Sequence, residues 1–369
     1  MQTILSKFGS VKKIADILKE LSCCKILFVC GKNSYKKLPL KDEIDSQHIS
    51  HICFSDFSSN PLYEDVCKGV ELFNKERCDG ILAIGGGSAI DVAKCIKLFC
   101  KMEKSSNYLK QEFKDTRVPL IAIPTTAGTG SESTKYAAIY YKGKKQSVTH
   151  ESIIPNYAIL DSRSLGTLSI YQKICTMLDA LCQAAESWWS VNSTGKSKKY
   201  SKIAIELIVA NYERYLMGDE NISEKIMLAA NYAGRAINIS QTTAAHAMSY
   251  KITSMFAIPH GHAVAVCFPY VWEYMVKNLN KCIDNRGPRY LTDIFSEIAI
   301  AFGLRNEHEA INWFLSLLSK LEIKYPVSHN HNDISILISS VNIDRLRNNP
   351  VALDENGLRE LYKKIIRIE

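Results

Sequence analysis

The first half of the chain alternates short apolar runs with stretches of helical periodicity, and that alternation restricts the fold more than any other feature. KILFVC at residues 25–30, HICFS at 51–55, GILAI at 80–84 and PLIAIP at 119–124 are rich in β-branched and aromatic side chains and are predicted strands. Between them, residues 63–78 and 90–102 carry apolar side chains at helical spacing. Strand and helix in turn imply an α/β domain built on a Rossmann-like, doubly wound parallel sheet, with ligands at the carboxyl ends of its strands. From about residue 164 the texture changes: residues 169–191, 199–216, 223–240 and 358–368 are segments of 3.6-residue period, which predict an all-α second domain. The expected boundaries are 1–163 and 164–369, and with no low-complexity linker between them the two domains are expected to meet in a packed cleft.

Three consecutive glycines open GGGSAIDVAK, residues 85–94, directly behind the third predicted strand. Glycine loses the most conformational entropy on folding, so a triplet there needs a reason. A tight turn is one. The other is an anion site, where the N–H groups of a helix N-terminus meet a pyrophosphate and Ser88 adds a hydroxyl. The stretch is not the dinucleotide fingerprint G-x-G-x-x-G, so alone it leaves both readings open. A second loop follows the fourth strand: IPTTAGTGSEST, residues 123–134, offers Thr125, Thr126, Thr129 and Ser131 as donors, or is simply a Ser/Thr-rich turn. Two such loops behind successive sheet strands favour a nucleotide crevice over either turn.

The second half carries a different chemistry. Three of the nine histidines, His246, His260 and His262, fall within seventeen residues, and Pro259 is expected to end one helix just before the second of them. Imidazole is the commonest ligand of zinc and a common ligand of iron. In LDALCQAAES, residues 178–187, Asp179 and Gln183 are spaced i, i+4 and share a helical face. An aspartate in an apolar helix needs a partner, and a divalent cation is one. Glu186 reads as a group that supports a ligand or forms a salt bridge.

The net charge of +8 raises the question of nucleic acid, but the lysines lie in short scattered clusters such as 36–37, 144–145 and 196–199, with no aromatic-interleaved basic stripe. No nucleic-acid partner is expected. No apolar run reaches the roughly 18 residues of a membrane span, and no secretory leader opens the chain, so a cytoplasmic protein with reduced thiols is expected. The adjacent pair Cys23 and Cys24 reads as core packing.

Taken together, GGGSAIDVAK, PTTAGTGSE, LDALCQAAES and the H-x13-H spacing of His246 and His260 resemble the iron-dependent (group III) alcohol dehydrogenase family, in the family's order and over essentially the whole chain. The resemblance implies the dehydroquinate synthase-like fold, a nucleotide-binding α/β domain followed by a helical metal domain, in a homodimer. It places Gly86, Gly87 and Ser88 at the pyrophosphate with Asp91 buttressing the loop. Thr125, Thr126, Thr129 and Ser131 go to the phosphates and nicotinamide ribose, and Lys145 lies near the cofactor. It makes Asp179, His246 and His260 ligands of Fe2+ or Zn2+. The family usually has histidine where this chain has Gln183, a poorer neutral oxygen ligand, and many members have another histidine where it has Tyr250. A metal of this kind polarises an aldehyde carbonyl while a nicotinamide delivers hydride, and His262 or Tyr250 is the expected source of the final proton.

Behind the first strand, Gly31, Lys32, Asn33 and Ser34 stand where an acidic residue often selects NADH, so NADPH is the expected cofactor, with NADH the alternative. The segments around residues 179–194 and 246–267 are similar to the phosphonoacetaldehyde reductase branch of the family. A small anionic aldehyde is therefore expected, with Lys251 and with Asn192, Ser193 and Thr194 as its anion contacts. Alternatively, Lys251 reaches solvent and the other three merely end a helix, which suits an uncharged or sugar-derived aldehyde. The other classes open to such a chain are a cyclising lyase resembling dehydroquinate synthase and a nucleotide-binding protein without catalysis.

Overall fold

Each of the four expected strands forms, within a sheet of six. In chain order the strands of the N-terminal region are β1 (Thr3–Leu5), β2 (Ile26–Cys30), β3 (His51–Phe54), β4 (Gly80–Gly85), β5 (Leu120–Pro124), β6 (Tyr136–Tyr141), β7 (Lys144–Thr149) and β8 (Tyr157–Ile159). The computed structural model describes residues 2–330 and 332–368. The sheet runs β1-β8-β5-β4-β2-β3 with every pairing parallel. β2, β4 and β5 are buried along their whole length, which is why they read as unbroken apolar runs. Their side chains alternate between two cores: Leu27, Val29, Ile81 and Leu120 in one, Ile26, Phe28, Leu82 and Ile121 in the other. Register pairs Cys30 with Ile84 and Gly85 with Pro124, so the loops after β2, β4 and β5 start side by side.

β6 and β7 form an antiparallel hairpin closed by Lys142 and Gly143, both at positive φ (51° and 73°) as a two-residue hairpin turn requires. Helices α1 (Ile14–Glu20), α2 (Lys32–Lys36), α3 (Lys41–Asp45), α4 (Tyr63–Lys75) and α5 (Gly87–Phe99) complete this region, and α5 is buried almost throughout. Cys23 and Cys24 correct an expectation. They lie in the turn between α1 and β2, next to Ser22 at φ 56°; Cys23 is half-buried and packs against the core, whereas Cys24 is exposed and does not.

The chain divides into two compact units, Met1–Ser169 with Met217–Asn231 and Ile170–Leu216 with Tyr232–Glu369. The second is helical: α6 (Ile170–Trp189), α7 (Gly195–Leu216), the latter part of α8 (Glu220–Ser240), α9 (Ala244–Met255), α10 (His260–Lys277), α11 (Gly287–Ala301) and α12 (Glu307–Lys320). A two-residue parallel bridge, Val327–Ser328 with Arg367–Ile368, is an exception to its helical character. α10 is buried on every side from Ala263 to Pro269 and is the unit's central helix, with Phe268 and Trp272 packed on Trp189 of α6. No helix among the described residues is long and apolar enough to cross a membrane.

Candidate functional site

The loop after β4 turns directly into α5, with Gly86 as an extended N-cap that has no capping side chain. The first-turn N–H groups of α5, at the positive end of a 13-residue helix, are therefore left for an outside acceptor. Ser88 Oγ donates to the Ser59 carbonyl. The second loop packs on the first: Thr125 N–H donates to the Gly85 carbonyl at 3.0 Å, and a Cβ on Gly87 would lie 3.0 Å from Thr129 Cγ2. Thr125, Thr126 and Thr129 are half-buried on this loop. Ser131 is turned inward, which corrects its assignment to the cofactor: its hydroxyl donates to Asp91 Oδ1 at 2.5 Å and braces the loop instead. Asp91 Oδ2 accepts the Ala138 N–H at 2.9 Å. Burial raises the Asp91 pKa, against the pull of Lys94 and of Lys145 on β7. At the end of β2, Gly31 is the N-cap of α2 and accepts the Ser34 hydroxyl at 3.1 Å.

In the helical unit, α6 presents Asp179, Gln183 and Glu186 at i, i+4 and i+7, all buried on one face. His246 lies in the first turn of α9, and His260 is the first residue of α10 behind its N-cap Pro259. Gly261 permits the crossing of α10 and α6. A Cβ there would sit 1.9 Å from the Cys175 carbonyl oxygen and 3.0 Å from Asp179 Cβ. Asp179 Oδ1 comes to 3.3 Å from His246 Nε2 and 4.0 Å from His260 Nε2, and one ligand atom from each of the three lies within 4.8 Å of the others. Two donors bound at about 2.1 Å and at a tetrahedral angle stand about 3.4 Å apart, so these atoms are close to coordinating separation.

Whether the residues suit a metal is decided by their unmet polarity. Asp179 Oδ1, Gln183 Oε1 and His246 Nε2 are buried and have no hydrogen-bond partner among the described residues; the 3.3 Å approach of the first and last lacks hydrogen-bond geometry. Buried polar atoms left in this way cost free energy, and a divalent cation is the group that pairs with a carboxylate, a carboxamide oxygen and imidazole nitrogens at once. The residues fit a metal. Glu186, fully buried, accepts the Thr243 hydroxyl at 2.8 Å and the Thr243 and Ala245 N–H groups at 3.1 Å, closing the N-terminus of α9. Its other oxygen takes the His246 Nδ1 proton, which turns Nε2 toward Asp179. Burial lowers the His246 pKa, but Glu186 and Asp179 more than reverse this and push it up to about 10. Burial alone would raise the Asp179 pKa; the flanking imidazoles hold it below the usual carboxylate range.

Residues 2–162 match the family model for iron-containing alcohol dehydrogenase, and residues 173–366 match the C-terminal model of the Fe-containing alcohol dehydrogenase family. The chain belongs to the iron-containing alcohol dehydrogenase family. Aldehyde-alcohol dehydrogenase 2 of Entamoeba histolytica is 33% identical over 72% of this chain and 32% of its own length. Phosphonoacetaldehyde reductase of Streptomyces viridochromogenes is 29% identical over 77% of this chain and 75% of its own. Across three curated relatives at 32–33% identity, the chain spans 32%, 66% and 55% of their length. A crystal structure of sulfoacetaldehyde reductase from Bifidobacterium kashiwanohense in complex with NAD+ superposes with a TM-score of 0.88 at 25% identity, covering 99% of this chain and 96% of that one.

In this family member, Tyr250 stays beside the triad, its ring stacked on His260 at 5.6 Å and 10°. His262 does not. Its Nε2–H donates to the Lys324 carbonyl and its Nδ1 accepts the Tyr171 hydroxyl, each at 2.7 Å, so this imidazole has neither a lone pair for a metal nor a proton for a substrate. Two residues along α10 turn it about 200° from His260, and burial lowers its pKa. Lys251, five residues past His246 on α9, points about 140° away from it. Asn192 bonds Asn348 at 3.0 Å, Ser193 accepts from Arg286 at 2.9 Å, and Thr194 caps the N-terminus of α7 by accepting the Ser197 N–H, so these three side chains bond within the connection from α6 to α7 and its neighbours. The role of Gly261 was not legible beforehand. H-G-H reads as histidine spacing, and nothing in it signals a backbone from α6 lying against the glycine.

Proposed function

We propose that the chain is a metal-dependent, nicotinamide-linked aldehyde reductase, whose substrate is a small aldehyde with an anionic headgroup, phosphonoacetaldehyde foremost. The observation that carries the reading is the buried cluster of Asp179, Gln183 and His246, whose unpaired atoms converge with His260. These four residues would hold the metal, which when bound supplies a Lewis acid for a carbonyl oxygen while the nicotinamide supplies hydride. Glu186 keeps the proton on His246 Nδ1 and leaves Nε2 free to bind. Tyr250, stacked on His260, is placed to give the product oxygen its proton, now that His262 is committed elsewhere. Gly86, Gly87 and the first turn of α5, with Thr125, Thr126 and Thr129, form the nucleotide site.

Two named relatives support the anionic substrate, since phosphonoacetaldehyde and sulfoacetaldehyde both carry a charged headgroup beside a short aldehyde. A preference for NADPH is supported by the end of β2, where Gly31 leads into exposed Lys32, Lys36 and Lys37 and no carboxylate stands to repel a 2′-phosphate. The test is an aldehyde panel run with NADPH and with NADH, on chelated protein and after addition of Fe2+ or Zn2+. Metal-dependent oxidation of NADPH, at least tenfold more efficient with phosphonoacetaldehyde or sulfoacetaldehyde than with propanal, is expected. Faster turnover of propanal would remove the anionic substrate, and an inert loaded protein would remove the reductase.

A further inference from the structure

Lys94 is fully buried, with 0% of its surface exposed, on a helix whose other buried side chains are apolar apart from Lys97. The reaction proposed above makes no use of it. Its ammonium has three protons and all three are placed: on Ser131 Oγ at 3.1 Å, Thr134 Oγ1 at 3.0 Å and the Tyr136 carbonyl at 2.9 Å. Every acceptor belongs to residues 131–136, the segment that leaves the second loop. One turn earlier on α5, Asp91 takes the Ser131 hydroxyl and the Ala138 N–H. The helix that begins at the glycine loop thus grips, through Asp91 and Lys94, the chain that follows the threonine loop. On the far side the buried Glu132 accepts from Asn231 at 3.0 Å, and its backbone carbonyl from Gln2 at 2.5 Å. The ammonium therefore stands between the half-buried Asp91 and the buried Glu132, and removing it would leave Glu132 without a countercharge and Asp91 with Lys145 alone.

We propose that Lys94 is the positioning residue of the nucleotide site: it fixes the threonine loop against the glycine loop, so that affinity for the nicotinamide cofactor depends on it and the metal site does not. This rests on reading the two loops as a nicotinamide site. The groups facing the ammonium are Asp91 and Cys95 on its own helix and Glu132 beyond it, while Lys145 of β7 faces Asp91. Burial pushes the amine down to about 8, against the pull of Asp91 and Glu132. The amine is thus cationic below that pH and neutral above it, and cofactor affinity falls as the pH climbs through it.

Fluorescence titration of the metal-loaded chain with NADPH and with NADH, at pH 7 and pH 9, tests this. If the wild type binds neither nucleotide, the loops are no nicotinamide site, and the proposal fails together with the function above. Given wild-type binding, Lys94→Met is expected to raise Kd at pH 7 at least about tenfold, with metal content unchanged and kcat at saturating cofactor within about threefold. The wild type is expected to lose several-fold of its affinity between pH 7 and pH 9, and Lys94→Met none. An unchanged Kd, or metal and kcat lost in step with it, overturns the proposal. Should Lys94→Met not fold, Thr134→Val decides: a Kd two- to fivefold weaker supports the role of the ammonium, and an unchanged one overturns it.

Discussion

Around the glycine and threonine loops the inward-facing charges are matched within the protein. Lys94 has three acceptors, Asp91 has two donors, and Ser131 both gives and receives. In the metal cluster, Asp179 Oδ1, Gln183 Oε1 and His246 Nε2 are buried with no hydrogen-bond partner among the described residues, and Asp179 and His246 converge with His260. The two regions handle their polar groups in opposite ways. The loops expend their side chains on holding shape and present backbone N–H groups, which suits a large anion that is exchanged at every turnover. The cluster uses Glu186 to hold its shape and leaves Asp179 Oδ1 and His246 Nε2 unpaired among the described residues, which suits a small cation that stays.

The change with the largest expected effect tests whether the triad depends on close helix packing. Gly261→Ala would drive a methyl into the Cys175 carbonyl, 1.9 Å away, and force α10 off α6. Loss of bound metal together with about 3 kcal/mol or more of stability is expected from overpacking of this kind. A variant that melts with the wild type and binds metal as well would break the contrast, because the triad would then not need the crossing. Glu186→Gln is a smaller change. It keeps the shape but surrenders the charge that fixes the His246 tautomer, and a chelator competition should register metal affinity lower by about 10–100-fold. Cofactor affinity should be untouched, which sharpens the comparison with Lys94→Met; a joint loss of both would merge the two regions into one.

Much of this was legible in the sequence, for identifiable reasons. Unbroken apolar runs announced β2, β4 and β5, whereas β1 and β8, three residues each, are too short to carry a period. Asp179 stood out as a carboxylate in an apolar helix, and His246 and His260 as two of three histidines within seventeen residues. What escaped notice depends on contacts remote in the chain. The His262 proton is fixed by a carbonyl 62 residues away, and the Lys94 partners lie 37 to 42 residues on. Lys251 is a different failure: five residues on a helix place it off the face of His246, a phase that sequence spacing already contained. Ser131 looked like its neighbours Thr125, Thr126 and Thr129, and only the position of Asp91 shows that it faces inward.

The central claim is that Asp179, His246 and His260 bind one divalent metal, with Gln183 as a weaker contributor. The most direct measurement is the metal content of wild-type, Gln183→Ala and His260→Ala chains, each purified without chelator, reloaded with Fe2+ or Zn2+ and freed of excess. One equivalent in the wild type, one more weakly held equivalent in Gln183→Ala and none in His260→Ala is the expected pattern. A His260→Ala chain that keeps a full equivalent as tightly as the wild type would contradict it.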